Sequence, residues 1–162
     1  MVMKLDDLVN AMRYAFFRSG RLYVDISSEA YKFYVEISYF KDGISNLHIE
    51  RIVYPPDSPH LSVDSEWSNF PQNIKGRSIE WIAPSFYDSV VEAFLPEITN
   101  EFVKTKLESV PKFSDEFKRL FDIYVEDDYE YGEGKKFYEF KNEYWHETAR
   151  KFCDEHGIEY EE

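Results

Sequence analysis

One hairpin constrains the fold of this chain more than any other feature. In the run 31–40, apolar side chains recur at every second position, as they do when one face of a β-strand is buried. Asp42-Gly43 follows this run, and the dipeptide is typical of a two-residue hairpin turn. The run 44–54 then returns as the partner strand, although Arg51 interrupts its apolar face. The pattern predicts an antiparallel hairpin that pairs the two runs.

The flanking segments extend this hairpin into an α+β fold. Apolar residues spaced three and four apart predict an N-terminal helix over 4–18, with Gly20 placed to end it. Further strands are predicted at 21–27, 61–67 and 77–83. We therefore predict a single α+β domain over residues 1–162, in which an N-terminal helix and an antiparallel meander precede a helical C-terminal half.

Proline residues and an acidic break divide the C-terminal half into four predicted helices. The first begins at Pro84, with Ser85 or Asp88 as candidate caps, and it breaks at Pro96. The other three helices are predicted at Glu97–Val110, 113–125 and Lys135–His156. The sequence therefore indicates short helices joined by tight connections, and then one long helix that Gly157 ends.

Three segments are open to more than one interpretation. Alternating apolar residues leave a strand as the alternative for 113–125. Apart from its predicted strand, the proline-rich segment 55–76 is predicted to be a loop. The rings of Trp67 and Phe70 either fix this loop to the sheet or form an aromatic recognition element. The last residues, 158–162, are predicted to be a frayed tail.

The distribution of charge points to the class of partner. Residues 1–80 hold 9 Lys and Arg against 11 Asp and Glu, whereas residues 81–162 hold 10 against 21, within a net charge of −13. The acidic half is also rich in Tyr, Phe and Trp. An acidic surface with aromatic side chains suits a basic protein, because its field steers the encounter and the rings supply contact area. The same charge argues against direct binding of nucleic acid or an anionic membrane.

Our first hypothesis is therefore an acidic binding protein, such as an inhibitor or immunity protein for a basic nuclease-like toxin or a nucleic-acid-handling enzyme. In general type the chain resembles small bacterial or phage proteins that neutralise another protein, although no motif carries the resemblance. DNA mimicry ranks lower, and ordinary solvation is the plain alternative for the acidity. The predicted partner-binding residues are Glu126, Asp127, Asp128, Tyr129, Glu130, Tyr131, Glu133 and Trp145, of which Trp145 is alternatively a core residue.

The second hypothesis is an enzyme or ligand-binding domain with a pocket between the sheet and the helices. Its first candidates are His48, Glu50, Arg51 and Tyr54, on the third predicted strand. A third hypothesis is a structural protein that forms a homo-oligomer through its aromatic face. No recognised motif assigns a catalytic residue, so the sequence favours binding over chemistry.

The supply of metal-binding side chains predicts that the protein has no metal and no cofactor. There is one cysteine, Cys153, and there are four scattered histidines. Glu143 and His146 form a single E-x-x-H on a helix, where a di-metal site needs two copies. One thiol, together with the absence of a signal-peptide core or a membrane span, predicts a soluble protein of the reducing cytoplasm.

Overall fold

A computed structural model of the chain describes residues 2–27, 31–54, 60–84 and 87–162, of which Tyr87 and Asp88 are described by their backbone alone. The chain divides into two compact units, one of Met1–Ala83 with Trp145–Glu162 and the other of Pro84–Tyr144. The predicted α+β fold is confirmed, with an N-terminal helix, an antiparallel sheet and a helical C-terminal half. A single domain over 1–162 stays a prediction.

The first unit is built on an antiparallel sheet. Its strands are β2 (Arg21–Asp25), β3 (Lys32–Lys41), β4 (Ile44–Val53), β5 (Ser62–Trp67) and β6 (Ser78–Ile82). They lie in the order β5-β4-β3-β2-β6, so β3 is the central strand. The register between β4 and β5 shifts between Arg51 and Ile52, where the ladder is irregular.

The predicted hairpin is confirmed. β3 pairs with β4 from Phe33 opposite Ile52 to Lys41 opposite Ile44. Asp42 and Gly43 both have positive φ angles, 54° and 75°, as the two central residues of a type I′ turn require.

One face of this sheet is covered by helices. The helix α1 (Leu5–Phe17) buries its apolar stripe against the sheet residues Leu22, Val24 and Val35, as its spacing predicts. The residue with positive φ after the helix is Ser19, at 50°, so Gly20 does not provide the left-handed stop. Gly20 is instead placed where a Cβ atom would lie 2.8 Å from the carbonyl oxygen of Glu36. A close approach to β3, and not helix termination, is what requires glycine there.

The opposite face of the sheet is also covered, which the alternation in 31–40 does not predict. Tyr23, Tyr34 and Ile49 are buried on that face with Ile74, which lies in the short helix α2 (Gln72–Lys75). The ring of Phe70 lies 4.5 Å from that of Tyr23. The loop aromatics therefore fix this segment to the sheet. Within 55–76, residues 55–59 lie outside the described part of the chain.

The second unit is helical. Its elements are a π-helical turn at Tyr87–Val91, α3 (Glu92–Phe94), a 3₁₀ turn at Leu95–Glu97, α4 (Glu101–Glu108), α5 (Asp115–Phe121), a π-helical turn at Asp122–Glu126 and the first half of α6 (Glu133–His156). The segment 113–125 is therefore helical from Asp115 onward and contains no strand. The candidate caps Ser85 and Asp88 lie outside the described side chains.

Side-chain caps set two of these helix starts. The Asn100 side chain accepts a hydrogen bond from the Val103 N–H, so α4 begins at Glu101 and not at the predicted Glu97. Ser114 caps α5 in the same way. The core of this unit is rich in rings, and Phe137 contacts both Phe94 and Phe121 there.

The prediction of a frayed C-terminal tail is wrong. Gly157, at φ 65°, ends α6, and the residues after it stay in the first unit. Ile158 is buried in the main core, and β7 (Tyr160–Glu161) pairs in parallel with β1 (Met3–Lys4). One buried apolar side chain and a two-residue parallel ladder anchor this tail. Neither can be predicted from the tail's own sequence, which is short and mostly polar.

We predict that Ile158→Ala lowers the free energy of unfolding by about 2 kcal/mol or more, since it removes a buried aliphatic side chain. Chemical denaturation followed by circular dichroism measures the change. Glu159→Ala, at the neighbouring exposed side chain, is the control and is expected to stay within about 0.5 kcal/mol of the wild type. Equal stability of the two variants would restore the frayed-tail interpretation.

Candidate functional site

Asp128 organises the acidic segment 126–133 from within. Its carboxylate accepts hydrogen bonds from the backbone N–H groups of Glu130, Tyr131, Glu133 and Gly134, at 2.8–3.4 Å. Partial burial works against the charged form, but these four donors outweigh it and hold the pKa of Asp128 below its usual range. The side chain is therefore occupied by the loop itself and is not a free contact for a partner.

Glu133 does not lie on the surface either. It is buried, and its Oε1 accepts hydrogen bonds from the N–H groups of Thr99 and Asn100, at 3.2 and 3.0 Å, just before α4. Lys136 Nζ lies 3.2 Å from Oε2. These contacts satisfy backbone donors at the start of a helix, so the predicted partner-binding role of Glu133 gives way to a structural one.

Two further members of the predicted set are partly engaged inside the second unit. Glu126 forms an ion pair with Lys141 at 3.3 Å. The ring of Tyr131 stacks on Phe102 at 5.3 Å and contacts Tyr124 at 6.1 Å. Both side chains keep some exposure, but each is committed to holding the segment in place.

Three members of the predicted set remain on the surface. Asp127 and Glu130 are exposed, and Tyr129 between them is fully exposed. Phe102 and Ile123, which are about half exposed, and Tyr138, which is more exposed, add apolar surface to the same unit. We call Asp127, Tyr129 and Glu130 the acidic tip. It combines two free carboxylates with an aromatic ring on a loop whose backbone Asp128 holds.

Trp145 lies in the core of the first unit, as the alternative interpretation has it. Its ring lies 5.3 Å from Phe16 and 6.1 Å from Trp81, and only a small part of it is exposed. Cys153, on the same helix, is fully buried, and burial raises the pKa of its thiol to about 11. Neither side chain is available to a partner or a substrate.

The candidates of the second hypothesis divide into two places. Arg51 forms a bidentate ion pair with Asp64 on β5. The hydroxyl of Tyr54 donates to the carbonyl oxygen of Asp7 at 2.7 Å. Both residues line a cleft of about 520 Å³ in the first unit, with Lys4 and Lys32 beside them.

His48 and Glu50 lie together elsewhere on β4. The carboxylate of Glu50, with a side chain only 4% exposed, accepts hydrogen bonds from the hydroxyl of Tyr14 at 2.9 and 3.1 Å. Arg18 Nη1 lies 3.3 Å from Glu50 Oε1. His48 Nε2 lies 3.6 Å from the same oxygen and 3.9 Å from Oε1 of Glu66. Burial, followed by the Glu50 carboxylate, raises the pKa of Tyr14 to about 12, so Tyr14 stays a donor.

Sequence reasoning missed Tyr14, Arg18 and Glu66 as neighbours of this pair. Tyr14 lies in the last turn of α1, Arg18 directly follows that helix, and Glu66 is opposite Glu50 in the ladder of β4 and β5. The spacing of His48 and Glu50 on alternate positions of a strand is the one local signal that places them on a common face.

No protein-family model, curated protein or solved structure matches the chain. Within the part of the chain that the structure describes, none of the helices combines the length and apolarity that crossing a bilayer requires.

We predict that Asp128→Asn destabilises the protein by about 1–2 kcal/mol at neutral pH, because an amide oxygen replaces a carboxylate that accepts several backbone hydrogen bonds. Since the folded pKa is lowered, this stabilisation is present above the unfolded value of about 3.9 and is lost as the pH falls through the folded pKa. The stability difference between variant and wild type should therefore shrink in acid.

Urea denaturation at several pH values measures this difference. Asp127→Asn is the matched control, since the side chain of Asp127 is exposed, and it is expected to change stability by less than about 0.5 kcal/mol. A difference for Asp128→Asn that does not vary with pH would show that the charge of this carboxylate has no role in holding the loop.

Proposed function

We propose that this chain is an acidic protein-binding module of the inhibitor or immunity type, which neutralises a basic protein partner. The partner class is a nuclease-like toxin or a nucleic-acid-handling enzyme, whose basic surface complements a net charge of −13. A bacterial or phage source and the cytoplasm belong to this proposal. The observation that carries it is the acidic tip, where Tyr129 is fully exposed between Asp127 and Glu130.

The position of Tyr129 supports a contact role. A ring that is fully exposed gains nothing from hydrophobic burial in the free protein, whereas tyrosine is enriched among the residues that dominate binding energy at interfaces. Burying this ring against a partner removes its apolar surface from water and leaves the hydroxyl to form a hydrogen bond at the rim.

The anchoring of the loop supports the same role. The Asp128 carboxylate accepts hydrogen bonds from four backbone N–H groups that follow Tyr129. Before the ring, the N–H groups of Asp127 and Asp128 donate to earlier backbone carbonyl oxygens, so the backbone on both sides of Tyr129 is ordered before any partner arrives. A pre-organised loop loses less conformational entropy on binding, and more of its contact energy remains as affinity. The flanking carboxylates of Asp127 and Glu130 attract a basic surface and accelerate association.

A cleft in the first unit favours a second candidate function, the binding of a small molecule. Its volume of about 520 Å³ lies within the range of small-molecule sites. Phe33 and Ile52 supply apolar lining, and the two cations Lys4 and Lys32 outnumber Asp7, the one carboxylate among the described residues of the lining. An anionic compound with an apolar body suits this lining.

We predict that the double variant Asp127→Asn/Glu130→Gln associates with the partner several-fold more slowly and dissociates at a nearly unchanged rate. The reason is that exposed charges act at long range on the encounter, over about 8–10 Å near physiological salt. Association of the wild type should slow as salt rises, and that of the variant should depend on salt less. Asp128 is left in place because its loss would change the loop itself.

The measurement starts from proteins captured from a lysate on the immobilised chain, each of which is then purified and measured by surface plasmon resonance. The control is Asp154→Asn/Glu155→Gln, which removes the same charge from exposed positions near the end of α6. If the two double variants associate equally fast with every captured protein, the acidic tip is ordinary solvated surface and the proposal fails.

We further predict that Tyr129→Ala increases the dissociation rate about tenfold, with little change in association, because it removes a buried contact and no charge. Tyr138→Ala is the control, since Tyr138 is also a largely exposed tyrosine of the same unit. Dissociation rates that are the same for wild type and Tyr129→Ala would exclude this ring from the interface.

A further inference from the structure

Glu66 on β5 joins two residues of β4, His48 and Glu50, that the second hypothesis already names. His48 and Glu50 are two residues apart on β4 and share a face, and Glu66 is directly opposite Glu50 in the antiparallel ladder. One imidazole nitrogen and two carboxylate oxygens of these residues all lie within 4.8 Å of one another. His48 Nε2 is the central atom, at 3.6 Å from Glu50 and 3.9 Å from Glu66.

The two carboxylates of this group would be stabilised by a nearby cation. Two like charges directly opposite each other in a ladder destabilise a sheet, and here one of the two carboxylates is almost completely buried. The Tyr14 hydroxyl donates to the Glu50 carboxylate, and Arg18 lies close enough for an ion pair with it, so part of the negative charge is already compensated. On the β5 side the group opens to solvent, where the side chains of His48 and Glu66 are 31% and 62% exposed.

We propose that His48, Glu50 and Glu66 bind a divalent transition-metal ion of the Zn²⁺ type. An imidazole nitrogen and two carboxylate oxygens are a donor set that suits zinc, with bonds of about 2.0–2.2 Å. Two ligands of a tetrahedral ion lie roughly 3.3 Å apart at such bond lengths. The His48–Glu50 and His48–Glu66 distances exceed this by about 0.3 and 0.6 Å, and the two carboxylate oxygens lie within 4.8 Å of each other. Rotation about the side-chain bonds of the exposed Glu66 brings its oxygen toward the other two ligands.

The surroundings of Glu50 fit a ligand role. Tyr14 donates to both carboxylate oxygens, and hydrogen bonds of this kind fix the orientation of a ligating carboxylate. Three protein ligands leave a fourth position of the ion to water, which is the arrangement of an open site and not of a closed structural one. The proposal replaces the expectation of no metal, because that expectation counted ligands along the chain and did not include pairing between strands.

The test is a titration of the full chain with Co²⁺, followed by its visible absorption, and with Zn²⁺, followed by calorimetry. We expect saturable binding of one ion per chain. His48→Gln and Glu66→Gln should each weaken it by about tenfold or more, since even partners outside the ligand set change affinity by about 10–100-fold. Both side chains are partly exposed, so these variants are expected to fold, and circular dichroism checks that they do.

His60→Gln is the control, because it removes an exposed histidine that is not among the three ligands. It should leave the affinity unchanged, and Zn²⁺ should raise the melting temperature of wild type and control but not of His48→Gln. Equal binding by His48→Gln and wild type, or no saturable binding by wild type, would overturn the proposal. Neither result bears on the acidic tip, which lies in the other unit.

Discussion

Burial of β3 on both faces is the constraint on which the first unit depends. Val35 and Phe33 face the helices on one side, while Tyr34 faces the segment that carries Phe70 and Ile74 on the other. A central strand that is buried on both faces needs a packing layer on each face. The helices provide one layer and the segment that carries Phe70 and Ile74 provides the other, so the unit requires both. The same requirement explains Gly20, since the chain must pass within contact distance of β3 to begin the next strand.

The features that sequence could predict are those in which each residue's role depends on its immediate neighbours. The hairpin follows from alternation together with Asp42-Gly43, and α1 follows from its apolar spacing. The C-terminal tail could not be predicted, because Ile158 is buried by residues from the opposite end of the chain. Gly20 was predicted to end α1, but the left-handed residue after the helix is Ser19, and Gly20 is required by its close approach to β3.

The candidate site likewise depends on contacts that the local sequence does not reveal. Composition identified the acidic segment, but it could not tell Asp128 and Glu133, which satisfy backbone donors, from Asp127 and Glu130, which remain free. Each carboxylate has the same chemistry, and only the position of the surrounding N–H groups separates the two roles. The grouping of His48 with Glu66 depends on the register between β4 and β5, which are not joined by a tight turn and whose ladder is irregular.

The division of the chain has a consequence for the order of events during synthesis. The second unit is one continuous stretch, Pro84–Tyr144, whereas the first unit needs Trp145–Glu162 to complete its core. As the chain leaves the ribosome, the helical unit has all its residues while the sheet still lacks Trp145, Phe152 and Ile158. We expect the second unit to close its core first, because its contacts join near neighbours in the chain. The first unit is expected to complete its core only after the last residues have been made.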